Sequence, residues 1–112
     1  MKIIEKSKEL TKVIYDICKE IPSEKYIIIP QITRAVISIG SNVVEGQQRS
    51  DKDFIRFLTI SRGSLYEVKY QLEIINEIYN VDKEKIKKGF NLIDEIGKMT
   101  YSLITKIKNE IQ

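Results

Sequence analysis

QITRAVISIGSNVVEGQQRSDKDFIRFLTISRGSLYE, residues 31–67, decides how this chain is read. It reads as helix, short break, helix. Ile32, Ala35, Val36, Ile39 and Val43 recur at steps of three and four, the spacing of one helix face. Ile37 and Val44, seven apart, lie on another side. That is too much apolar surface for a helix with a single buried face, so this helix is expected to be central or covered by another subunit. Small and polar residues interrupt both apolar runs: Ser38, Gly40, Ser41, Asn42 and Glu45 in the first, and Arg62, Gly63 and Ser64 in the second. A glycine inside a helix costs about 1 kcal/mol relative to alanine, so its presence asks for a reason.

Outside this stretch the same periodicity continues. Residues 2–21 carry Ile3, Ser7, Leu10, Ile14, Ile17 and Ile21 on one face, widened by Ile4, Thr11 and Cys18, and Pro22 ends that helix. IPSEKYIIIP follows as a connector, with YIII read as extended chain, because a lone strand without a partner is unstable. The second helix is expected from Pro30, which suits a first turn, to Gly46, which suits the position past the end. Ser50 or Asp51 caps the third, and Asp51 and Asp53 favour the positive end of its dipole. Its seam runs Phe54, Leu58, Ser61, Leu65, Val68, Leu72, Ile75, Tyr79, and Asn80 ends it. Asp82 caps a fourth helix with Ile86, Phe90, Ile93, Gly97, Thr100, Ile104, Ile107 and Ile111 in register. Four long helices with short connections predict an all-α, antiparallel up-down-up-down four-helix bundle, one domain over residues 1–112.

Composition narrows the chemistry. Nineteen Lys and Arg face sixteen Asp and Glu, for a net charge of +3, with the two signs interspersed. That balance fits solvated helix faces and permits nucleic acid without demanding it. Histidine is absent and Cys18 is the single cysteine, which removes histidine acid–base chemistry, an intramolecular disulfide and most zinc sites. Di-iron bundles need Glu-x-x-His pairs, and Glu45 and Glu67 stand near no nucleophile at a telling spacing. The run Gly40–Gln48 lacks the lysine and following hydroxyl of a phosphate loop, and no strand precedes it. No enzymatic activity, cofactor or metal is expected. With neither a signal-peptide core nor a run long enough to span a bilayer, the protein is expected in the cytoplasm and off the membrane.

QITRAVISIGSNVVEGQQR followed by DFIRFLTISRGSLYEVKYQLE resembles the four-helix-bundle family encoded in intervening sequences of bacterial 23S ribosomal RNA genes. The residues that carry the resemblance are Gln31, Arg34, Ala35, Ser38, Ile39, Asn42, Glu45, Gly46, Phe54, Phe57, Leu58, Ile60, Gly63, Ser64 and Glu67. Val44 and Ser61 stand where the family often has alanine. The resemblance implies a non-catalytic bundle that assembles as a homopentamer. The family is similar to accessory proteins of diversity-generating retroelements, which associate with nucleic acid and a reverse transcriptase. RNA or DNA, and a reverse transcriptase in a retroelement setting, are therefore implied partners besides further copies of the chain.

Two sets of residues stand out. Arg34, Ser38, Asn42, Glu45, Gly63, Ser64 and Glu67 are candidates for a polar network or a subunit interface. Arg34, Ser38, Ser41 and Glu45 follow one helical row, and Arg34 and Glu45, about 16 Å apart along it, cannot pair directly. Buried ions need partners, so Glu67 and Arg62 are expected to supply them from the next helix. Small residues at Gly40, Ser41, Gly63 and Ser64 fit either tight packing inside a bundle or contact between bundles, with a cofactor site as a third reading. Arg49, Lys52, Arg56, Arg62 and Lys69 form the most basic neighbourhood, with Tyr66 and Tyr70 nearby to stack on bases. The alternative is an ordinary solvated face offset by Asp51, Asp53 and Glu67, with the protein serving as a structural or protein-interaction scaffold.

Overall fold

The computed structural model describes residues 1–22 and 27–111. They form four helices, α1 (Lys2–Cys18), α2 (Ile28–Gln47), α3 (Asp51–Ile78) and α4 (Lys83–Ile111), with no strand among the described residues. Their extents are 50 × 22 × 19 Å. Helix α1 touches α2 and α4, and α3 touches α2 and α4. The main core draws on every helix, with Leu10, Ile14, Ile39, Leu65, Leu72 and Ile96 all sealed from solvent. A second cluster of Ile3, Val43, Leu58 and Ile107 lies apart from it.

The ends of the helices follow local chemistry. Ser50 caps α3, its hydroxyl accepting from the Asp53 backbone N–H at 3.3 Å, and Asp51 and Asp53 occupy the first turn as expected. The third helix stops one residue early, with Tyr79 already extended. Asp82 accepts from the Glu84 N–H at 2.8 Å at the start of α4. Helix α1 stops at Cys18 rather than at residue 21, although the backbone N–H of Ile21 still reaches the Cys18 carbonyl and its side chain stays buried.

The connector reading needs correction. Ile28 and Ile29 are helical and pack against the main core, so the YIII run is not all extended chain; residues 23–26 lie outside the described residues. Pro30 sits inside the first turn of α2 rather than opening it. The physical reason is that the first four N–H groups of a helix lack intrahelical acceptors, so a proline there removes no hydrogen bond.

Glu20 joins the exit of α1 to the entry of α4. Its carboxylate accepts from Lys85 Nζ at 2.8 Å and from the Asp82 backbone N–H at 2.9 Å. The Lys85 bond, then the Asp82 bond, hold the carboxyl below its ordinary range. Its contribution is therefore present above the ordinary carboxylate range and is lost as pH falls through that lowered value.

The tightest approach is between α2 and α3. A Cβ at Gly46 would stand 2.7 Å from Phe57 Cβ and 2.8 Å from the Phe54 ring. Gly46→Ala gains helix propensity of about 1 kcal/mol, but overpacking costs about 1–3 kcal/mol. Because Phe57 Cβ is tied to the backbone, the clash should win, and the urea midpoint should fall. Gly89→Ala, which would crowd only the flexible tip of Leu72 at 2.9 Å and meet Val13 at an ordinary 3.8 Å, should lose less. A Gly46→Ala midpoint equal to wild type would show that the two helices separate at little cost.

Candidate functional site

Along the α2–α3 seam, part of the predicted polar set comes together. The hydroxyls of Ser38 and Ser64 lie 2.9 Å apart. Asn42 Nδ2 donates to the Ser38 carbonyl at 2.8 Å and to its hydroxyl at 2.9 Å. Deeper in the seam, the hydroxyl of Ser61 donates to the Ile39 carbonyl at 2.8 Å. Ser61 is fully buried, and an alanine there would lack that tie. It was legible only as a small residue in the seam of α3.

Arg34, Glu45, Gly63 and Glu67 are instead exposed. The expectation of buried ions paired between helices is corrected here. Glu45 pairs with Arg49 at 2.7 Å, one turn along the same segment, and Glu67 accepts from Gln71 Nε2 at 3.3 Å. Facing solvent, these groups have no desolvation cost for a second helix to offset. Gln71 is buried, and its Oε1 has no hydrogen-bond partner among the described residues.

The small residues divide by direction. A Cβ on Gly40 would approach Ser7 Cβ at 3.3 Å, so this glycine lets α1 and α2 meet. A Cβ on Gly63 would meet nothing within 4 Å among the described residues. On α3 beside Gly63, Ile60 is 43% and Tyr70 is 64% exposed. Between α1 and α2 lies a mainly apolar groove of about 570 Å³, lined by Ile4, Ile37, Gly40, Ser41 and Val44 together with Lys8, Lys12 and Glu45. Ile37 and Val44 are each nearly half exposed there.

The five predicted cations separate into two places. Arg49 and Arg56 both stack over Phe57, at 5.1 and 4.5 Å from its centroid, at the α2–α3 turn. Lys52 is exposed beside them. Asp53 lies 3.8 Å from Arg56, and Glu45 holds Arg49, so this end is largely self-neutralised. Arg62 and Lys69 line a different groove, of about 630 Å³, between α3 and α4. Arg62 donates to the Gly97 carbonyl, to Thr100 Oγ1 at 2.9 Å and to the Tyr66 hydroxyl at 2.8 Å. Its guanidinium lies 5.5 Å from the ring centroids of both Tyr66 and Tyr101. Gly97, Thr100 and Tyr101 were not among the predicted site residues, because their pairing with Arg62 depends on how α4 aligns with α3.

Among the described residues, no group of three or more His, Cys, Asp or Glu is placed to hold a metal ion. Among them, no helix is long and apolar enough to cross a membrane.

The family model described as 23S rRNA-intervening sequence protein matches residues 1–102. The chain is also similar to the crystal structure of a protein of unknown function from the S23 ribosomal protein family of Bacteroides thetaiotaomicron. That similarity has 30% identity and a TM-score of 0.82, over 91% of this chain and 97% of that one. No curated protein matches the sequence.

Cys18 lies on the buried face of α1, and burial pushes its thiol pKa up to about 11. The thiolate is the reactive form, so the native thiol should resist alkylation at pH 8. Its labelling rate in increasing urea should track global unfolding. Rapid labelling of the native protein would contradict the packing of α1.

Proposed function

The chain belongs to the 23S rRNA-intervening sequence protein family, and from that premise we propose that it acts in the cytoplasm as a non-catalytic, self-associating antiparallel bundle. Its working form is a ring of identical copies. The antiparallel course is supported by how partners shift along the helices. Going back along α2 from Gly46 to Ile39 to Ser38, the partners advance along α3 from Phe57 to Ser61 to Ser64. From Lys6 to Glu20 on the α1 side, partners retreat along α4 from Glu95 to Lys85.

The observation that carries self-association is Gly63. It weakens α3 by about 1 kcal/mol relative to alanine and relieves no contact among the described residues. Another molecule approaching closely at that point supplies the reason. The α3 ridge of Ile60, Gly63 and Tyr70 fits the apolar α1–α2 groove of a second copy, where Lys8 and Lys12 meet the acidic Glu67 and Glu77 of the ridge. Ridge and groove are different surfaces, so the contact is head-to-tail and closes into a ring when the rotation permits. Five copies is the number that the family resemblance implies.

A second reading, nucleic-acid association, is favoured by one observation. Among the described residues, Arg62 and Lys69 have no carboxylate within ion-pair distance, although both line the α3–α4 groove. Phosphates would neutralise them, and such binding would weaken steeply with salt.

Gly63→Leu tests the first reading with opposed effects. In the isolated chain the leucine has open space, so helical circular dichroism should persist and stability should rise by about 0.5–1 kcal/mol. In the assembly the same side chain should collide with a neighbour, and light scattering should report loss of the oligomer. A variant that keeps the wild-type mass, or a wild-type protein that is monomeric at micromolar concentration, would overturn the proposal.

A further inference from the structure

Beyond assembly, we propose that the α3–α4 groove is a binding site for a nucleotide unit, its base stacked on the tyrosines and its phosphate held by Arg62 and Lys69. This rests on the nucleic-acid reading and gives it a location away from the more obvious cations at the α2–α3 turn.

The groove has the size and chemistry for such a unit. Its volume of about 630 Å³ falls within the roughly 300–1,000 Å³ range of small-ligand sites. Its floor is apolar, with Leu65 and Phe90, and Gly97 brings no side chain into it. Arg62 is the fixed point. Its bonds to Gly97, Thr100 and Tyr66 span α3 and α4 and hold the guanidinium in one place. A guanidinium carries five N–H donors, and these three bonds leave its Nε–H and the second Nη2 hydrogen for a ligand. Tyr66 and Tyr101 flank it with 52% and 63% of their surface exposed, so each ring has surface available to a base. Stacking of this kind accepts any base.

Charge favours a phosphate at one end. Lys98 is paired with Asp94 at 3.3 Å, which among the described residues leaves Arg62 and Lys69 as the groove's unneutralised cations. Glu73 lines the same groove and opposes an anion. That opposition gives the proposal a sign: removing the Glu73 charge should tighten binding, whereas removing the Lys69 charge should weaken it.

The test is a fluorescence-anisotropy titration of the full chain with labelled 12-mers of oligo(dT) and oligo(U), at low and physiological salt. Unlabelled uridine monophosphate serves as competitor. Binding is also read directly from the six tyrosines, since the chain has no tryptophan. Circular dichroism and light scattering establish that each variant keeps its fold and assembly. Tyr101→Leu and Lys69→Gln should each weaken binding about tenfold, Glu73→Gln should strengthen it, and R49E/K52E/R56E should leave the tyrosine signal at its wild-type midpoint. Competition by the mononucleotide would assign the site to free nucleotides as well. Oligonucleotide binding without such competition would assign it to nucleotides within a strand. Binding that survives Tyr101→Leu and Lys69→Gln but is lost in R49E/K52E/R56E would overturn the groove and leave nucleic-acid association standing. No binding of either 12-mer or of the mononucleotide at low salt would overturn both.

Discussion

The close approach of α2 to α3 sets the arrangement of the other elements. Gly46 admits Phe54 and Phe57 to the surface of α2 near the turn, where any side chain would hold them off. Further along, Ser61 replaces a hydrophobic contact with a hydrogen bond to the Ile39 carbonyl, and Ser38 and Ser64 join across the seam. With a methyl-sized gap denied at each point, the two helices keep one register over their shared length. Leu65 and Leu72 then point into the main core and Leu58 into the second cluster, both of which α1 and α4 complete.

That constraint separates the small residues by task. Ser38, Gly46, Ser61 and Ser64 bring α2 and α3 together, and Gly40 performs the same service between α1 and α2. Gly63 faces the other way. Its helix bears exposed apolar residues on its outer side, and α2 bears Ile37 and Val44. An amphipathic helix in an isolated bundle has no need of apolar groups on its outer face. Packing inside the chain accounts for one part of this short stretch of sequence, and the proposed contact between copies accounts for the other.

Periodicity made most of the fold legible. The three–four spacing located all four helices, and Ser50 and the aspartates marked the start of α3. The error at YIII came from treating proline as the opening residue of α2, when any residue of the first turn can be proline without loss of a hydrogen bond. The site was less legible. A helical row gives a side but not a depth: Ser38 and Asn42 sit at the seam, while Arg34 and Glu45, on the same side, face solvent. Nearness in sequence also misled. Arg56 and Arg62 are adjacent cations in the chain, yet six residues of helix turn them to different sides. Arg62 belongs with Lys69, seven residues on, and with Gly97 and Thr100 of α4, a partnership fixed only by the alignment of two helices distant in sequence.

The central claim is that the outer faces of α2 and α3 are covered by further copies of the chain. Small-angle X-ray scattering tests it most directly, because the single chain has a Cα radius of gyration of 14.7 Å. A ring of copies predicts a value well above this, constant on dilution through the micromolar range, with a distance distribution extending beyond the 50 Å length of one bundle. A radius that stays near 14.7 Å at every concentration would contradict the account.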